Sequence, residues 1–171
     1  MIYEPEEDSY LLNKFVKKYA KGKVLDMGTG SGIQALTALE NTPDVLAVDI
    51  NEECVRALKI NVIQSDLFSN VKGKFDLIIF NPPYLPEDKE EPEDSKVITT
   101  GGEKGSEIIV KFLEDAKEHL NKNGKILILI SSLTGDANVL FKDYKYKLLE
   151  SENLFFETIS VFLLETFINL E

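Results

Sequence analysis

The chain has 171 residues, 43% hydrophobic and 29% charged, with 19 Lys and Arg against 30 Asp and Glu for a formal net charge of -11. That balance fits one globular domain, residues 1–171, burying roughly 70% of its unfolded surface; it excludes wholly disordered, collagen-like and low-complexity classes. A single cysteine, Cys54, and a single histidine, His119, exclude an internal disulfide, a metal site built on Cys or His, and a Ser-His triad.

The N-terminus, MIYEPEEDSY, is acidic and lacks a basic segment followed by an apolar one, so it does not read as a signal peptide. The apolar runs at 126–130 and 159–164 are too short to span a bilayer, and the expected compartment is the cytoplasm. Tight non-specific binding to nucleic acid normally shows a basic footprint, which this chain lacks overall.

Leu11, Leu12, Phe15, Val16 and Tyr19 recur at spacings of three and four, which predicts a helix over 9–20, capped by Asp8 or Ser9 and stopped near Gly22. A strand over 23–27 runs into Gly28-Thr29-Gly30-Ser31-Gly32, and a helix over 33–40 follows. Next come a strand at 45–49, a helix at 52–60, a short strand at 62–65 and an uninterrupted apolar strand at 75–80. The stretch 85–105 is polar, holds Pro86, Pro92 and three glycines, and reads as a long loop. A helix at 107–120, a turn at 121–124, a strand at 125–131 and a helix at 136–144 precede two closing strands, 146–153 and 155–165. Strands alternating with helices predict an α/β fold: a mainly parallel seven-stranded sheet, helices on both faces and a C-terminal antiparallel hairpin. No internal repeat is visible.

Two motifs carry chemistry. The first is Asp26-Met27-Gly28-Thr29-Gly30-Ser31-Gly32, set between a strand and a helix. Glycines there allow positive φ and close approach of a ligand to the backbone. No Gly-Lys-Ser/Thr closes the loop, so it is not a phosphate-binding P-loop, and the spacing is not that of a dinucleotide fingerprint. Asp49 ends the next strand, where an acid suits a ribose diol. The pattern resembles the first motif of class I S-adenosylmethionine-dependent methyltransferases, which have a Rossmann-like fold. That resemblance implies Asp26 near the methionine end of the cofactor and the backbone of Gly28, Gly30 and Gly32 beneath it. It also implies Asp49 on the ribose, and Asp66 and Leu67 beside the adenine. The bland alternative is a structural βα turn with surface acids.

The second motif is Asn81-Pro82-Pro83-Tyr84, at the carboxyl end of the fourth strand, an edge where ligands bind in such sheets. Two successive prolines fix φ and donate no hydrogen bonds. The Asn81 side chain and the Pro82 carbonyl then offer acceptors to an –NH₂ group, and Tyr84 offers a flat face for stacking. The expected target is a planar group bearing –NH₂, an amide or a nucleobase amine, methylated by positioning and electrostatics without a strong base. The motif resembles that of amino-methyltransferases acting on DNA adenine, RNA bases or protein glutamine, and that resemblance implies catalytic Asn81, Pro82 and Tyr84, a substrate surface of Asn81 to Tyr84, and Asn81 beside the cofactor as well.

Tyr3-Glu4-Pro5-Glu6-Glu7-Asp8-Ser9-Tyr10-Leu11-Leu12 and Gly101-Gly102-Glu103-Lys104-Gly105 resemble segments of the HemK/PrmC-like glutamine methyltransferases, most closely their short archaeal and eukaryotic branch. The resemblance implies Glu7, Asp8 and Ser9 near the methionine end. It implies S-adenosylmethionine as cofactor and the glutamine of a Gly-Gly-Gln motif in a peptide chain release factor as substrate. It further implies a possible partner, a small zinc-binding activator protein over the thin sheet edge formed by the compressed segment 52–66. Acids at Glu87, Asp88, Glu90, Glu91, Glu93 and Asp94 read either as a solvated loop or as a mouth suited to a basic protein. A nucleobase amino-methyltransferase and a silent cofactor-binding scaffold are the competing readings.

Overall fold

The computed structural model describes residues 2, 4–83 and 105–167. Tyr84, the acidic segment 87–94 and residues 101–104 lie outside the described residues. The strands are β1 (Val24–Met27), β2 (Val45–Asp49), β3 (Val62–Gln64), β4 (Phe75–Phe80), β5 (Leu120–Ser131), β6 (Tyr144–Asn153) and β7 (Thr158–Thr166). The helices are α1 (Glu7–Tyr19), α2 (Ile33–Leu39), α3 (Glu52–Ala57), α4 (Glu107–Ala116) and α5 (Ala137–Leu140).

All seven strands form one sheet in the order β3-β2-β1-β4-β5-β7-β6. The first five are parallel, and β7 runs antiparallel between β5 and β6. The strand order reverses between β1 and β4, which places a crevice at their carboxyl ends. Met27 is in register with Phe80, so both strands end level there. Residues of β4 alternate between two cores. Leu77 and Ile79 pack with Leu11, Leu12 and Val16 of α1, while Ile78 and Phe80 pack with Ile109, Phe112 and Leu113 of α4. Each core is apolar and fully buried, which is why the central strands read as unbroken hydrophobic runs.

The α/β class, the parallel order and the closing hairpin match the reading of the sequence; several boundaries differ. Helix α1 begins at Glu7 with Glu6 at the N-cap position, and no side chain caps it, so Asp8 and Ser9 lie inside the first turn and are buried. The expected turn at 121–124 lies within β5, which pairs back to Phe75 through Leu120. Asn123 takes a left-handed φ of 65°, and the register shifts between Phe75 and Leu77. Helix α4 stops at Ala116 and a 3-10 turn, Lys117–His119, follows. The helix expected over 136–144 is only Ala137–Leu140, because Tyr144 is buried at the start of β6 and its hydroxyl donates to the Leu113 carbonyl at 2.6 Å. His119, expected on the surface, is half-buried with its ring 4.5 Å from that of Phe68. Cys54 is buried, as expected of an apolar filler. Strand β3 is three residues long, half-buried and at the sheet's edge. Among the described residues no helix is long and apolar enough to cross a membrane, and no cluster of His, Cys, Asp and Glu could hold a metal.

Candidate active site

The turn after β1 is left-handed at Gly28, Gly30 and Gly32, with φ of 66°, 54° and 84°. A Cβ on Gly32 would fall 2.7 Å from Leu58 Cδ2, so the Leu58 side chain would have to shift to admit one. On Gly28 a Cβ would meet only the Phe80 ring, at 3.7 Å, which leaves an open strip of backbone at the crevice. The Asp26 carboxylate ties the turn to α2: Oδ2 accepts from Thr29 Oγ1 at 2.7 Å and from the Ala35 N–H at 3.1 Å. Burial pushes the Asp26 carboxyl up to about 7, and those two hydrogen bonds pull the other way. Asp49 ends β2, on the side of β1 away from β4. Its Oδ2 accepts from the Gly30 N–H and its Oδ1 from the Asn51 N–H, each at 2.8 Å.

Asn81 follows β4 directly. Its Nδ2 donates to Asp8 Oδ2 at 3.0 Å, across 73 residues of sequence. Asp8 Oδ1 in turn accepts from the Ser9 N–H at 2.7 Å. A carboxylate only accepts, so Asp8 dictates which way the Asn81 amide faces. Asn81 Oδ1 is buried and, among the described residues, has no hydrogen-bond partner. Pro82 is buried and Pro83 half-buried.

The start of α1 is latched into place by polar side chains on its buried face. The Ser9 carbonyl accepts from Gln34 Nε2 at 2.9 Å, and Asn13 Nδ2 donates to Gln34 Oε1 at 3.0 Å and Thr37 Oγ1 at 2.8 Å. Sequence reasoning placed Asp8 and Ser9 near the site but missed both the Asp8–Asn81 bond and this latch. A usable signal was Asn13, a polar residue inside the apolar stripe of α1, four positions after Ser9.

The structure brings Asp26, the glycines and Asp49 together, and joins Ser9, through Asp8, to Asn81. Asp66 follows Ser65, whose N–H donates to the Asp49 carbonyl at 3.0 Å; it is exposed, with its carboxylate 3.7 Å from Lys111 Nζ. Leu67 beside it is buried with a left-handed φ of 47°, and its carbonyl accepts from Ser65 Oγ at 2.7 Å. Together the crevice offers carboxylates for a cation or diol, bare backbone for a close-lying ligand, and, among the described residues, a buried side-chain carbonyl oxygen without a partner that could accept an incoming N–H.

Residues 6–155 match the methyltransferase small domain family. A Methanocaldococcus jannaschii protein, provisionally named a protein N5-glutamine methyltransferase, is 39% identical over 153 residues, covering 82% of this chain and 78% of that one. The release factor glutamine methyltransferase of Streptococcus pneumoniae is 34% identical over 132 residues, covering 67% of this chain and 47% of that protein, so the match spans about half of that relative. The E. cuniculi Mtq2–Trm112 complex, described as responsible for methylation of the eRF1 translation termination factor, contains a chain that superposes with a TM-score of 0.79 at 24% identity, covering 96% of this chain and 98% of that one. At that identity the likeness speaks for the fold.

Proposed function

Since this chain belongs to the methyltransferase small domain family, among its protein glutamine methyltransferases, we propose that it methylates the side-chain amide nitrogen of the glutamine in a release factor's Gly-Gly-Gln motif, using S-adenosylmethionine. The observation that carries the reading is Asn81, anchored through Nδ2 on Asp8 with Oδ1 buried and unmet among the described residues. An unmet buried acceptor costs about 1–3 kcal/mol, an expense explained by a donor that arrives with the substrate.

The open strip at Gly28 and the carboxylates of Asp26 and Asp49 fit the cofactor, which supplies an electrophilic methyl group on a sulfonium sulfur. In this proposal Asp26 and Ser9 hold its methionine end, Asp49 its ribose, Asp66 and Leu67 its adenine, and the backbone of Gly28, Gly30 and Gly32 lies beneath it. Asn81 Oδ1 and the Pro82 carbonyl accept the two N–H bonds of the glutamine amide. Both acceptors raise electron density on a nitrogen whose lone pair is otherwise delocalised, and both orient it for in-line attack. Pro83 holds the second acceptor rigid, and Tyr84 stacks on the amide plane.

The thin β3 edge supports a second element of the proposal, a small zinc-binding activator protein covering it. The reaction is assigned to the cytoplasm, where release factors work. Transfer of radiolabelled methyl tests all of this, with the chain supplied both alone and with proteins retained from its native extract. Label on a release factor, but not on its Gln-to-Asn version, is the expected result. Label on total RNA or DNA would overturn the substrate assignment and favour a nucleobase amine. Full activity of the chain alone, with nothing retained from extract, would remove the activator.

A further inference from the structure

The β6–β7 hairpin ends in two consecutive phenylalanines, Phe155, which is fully exposed, and Phe156, which is 67% exposed. The exposure is not fraying. The Leu154 N–H donates to the Glu157 carbonyl at 2.8 Å, closing the turn. The Glu157 carboxylate accepts from Ser131 Oγ, and the Thr158 N–H donates to Ser132 Oγ at 2.9 Å. A pinned tip presenting two aromatic rings to water is costly in free energy unless another surface covers it.

Its place in the fold says which surface. Phe80, the last residue of β4, pairs with Ile128, and Ser131, three residues further along β5, pairs with Ile159 of β7. The tip therefore projects past the same sheet edge that carries Asn81, about 10 Å along the strands and roughly 10–15 Å to the side at ordinary strand spacings. Tyr10, 59% exposed, lies one turn nearer that edge than Lys14, which pairs with Glu150 of β6 at 3.0 Å, so α1 adds a third aromatic beside the hairpin.

We propose that Phe155 and Phe156, with Tyr10, form the docking surface for the body of the protein substrate, outside the site that holds its glutamine. This rests on the glutamine methyltransferase reading above. Glu152 and Glu157 flank the tip, in a chain of net charge -11. The partner surface is therefore an apolar depression bordered by Lys and Arg. A second copy of this chain fits poorly, because a two-fold pairing over the tip would set each copy's glutamates against the other's. The rings add affinity for a folded substrate without touching the reacting amide.

The test compares the wild-type chain with F155S/F156S on two substrates, a full-length release factor and a short peptide centred on Gly-Gly-Gln. The expected result is a KM for the release factor raised about tenfold to a hundredfold, with kcat and the peptide's kcat/KM unchanged. Cofactor affinity and Tm stay at wild-type values, and F155L/F156L restores most of the lost affinity. An unchanged KM for the release factor overturns the proposal, and so does an equal loss on protein and peptide. A wild-type dimer in solution that F155S/F156S makes monomeric, with KM unchanged, would assign the tip to self-association instead. Absence of transfer to either substrate by wild type, with its extract proteins present, would overturn the glutamine reading itself and this inference with it.

Discussion

An Asp–Asn hydrogen bond stands at each edge of the sheet, Asp76 with Asn121 at the amino edge and Asp8 with Asn81 at the carboxyl edge, 3.1 Å and 3.0 Å long. At the amino edge the pair closes structure. Asp76 Oδ2 also accepts the Lys23 N–H at 2.8 Å, and the Gly22 carbonyl beside it accepts from Thr42 Oγ1 at 2.7 Å. There is no room for a side chain on Gly22, where a Cβ would overlap the Asp76 carboxylate. At the carboxyl edge the same bond aims an acceptor that finds no partner among the described residues. Identical residue types thus knit crossovers together at one end and hold a polar atom in readiness at the other. Under the proposed function, what separates the two is that the second half of the Asn81 amide is left to a substrate.

Removing each pair is the sharpest way to break that comparison. N81A should lower kcat/KM by about a thousandfold or more while Tm holds, since it deletes the acceptor proposed for the substrate amide. D76A should do the reverse, costing about 2–3 kcal/mol in urea unfolding while the folded fraction keeps its turnover. A large Tm loss in N81A with activity kept would make both pairs structural.

Replacing only the anchor refines the contrast. In D8N the new amide can either accept from or donate to Asn81, so the orientation of Asn81 is no longer dictated. Turnover should fall about tenfold to a hundredfold with little change in the KM for cofactor, and D8E should recover part of it. Equal losses in kcat and cofactor binding would mean that Asp8 serves the cofactor directly.

The glycines offer a comparison of backbone alone. G22A places a methyl group onto Asp76 at φ 63° and should cost about 2 kcal/mol of stability with activity intact. G32A meets only the methyls of Leu58, at φ 84°, and should cost about 1 kcal/mol together with weaker cofactor binding, read by calorimetry.

What could be read from the sequence follows the range of the interactions involved. The central strands announced themselves because both of their faces are buried, and the glycine turn because three left-handed residues sit in one short segment. Asn81-Pro82-Pro83 was legible as a motif, and the position of Asn81 after β4 follows from strand order. The Asp8–Asn81 bond was not legible, because its partners meet only after α1 folds across β4 and β5. The Asn13–Gln34–Thr37 latch is hidden for the same reason, as polar residues in an apolar stripe name no partner. The helix expected at 136–144 gave way to a tertiary demand, the burial of Tyr144 beneath α4. Asp66 followed its strand as expected, yet its carboxylate faces Lys111, a pairing that no local pattern encodes.

The smallest effect concerns Asp26, the acid that ties the glycine turn to α2. Its carboxyl sits at about 7 in the folded chain against 3.8 for the free group, chiefly because it is buried. Below about pH 4 both folded and unfolded chains hold the proton, and the group's contribution to stability is full. As pH rises the unfolded chain releases its proton first, so stability falls until the folded carboxyl ionises near 7, and it levels off above that. D26N carries no such proton. The stability of wild type relative to D26N should therefore drop by about 1 kcal/mol between pH 6 and pH 8, read as a difference in urea midpoints. The acids elsewhere on the chain act on both proteins alike and cancel in that difference. A flat difference would place the Asp26 carboxylate in its ionised form throughout, with the Thr29 and Ala35 hydrogen bonds outweighing burial. Under the proposed function the turn would then carry a full negative charge toward the cofactor's methionine end at every working pH.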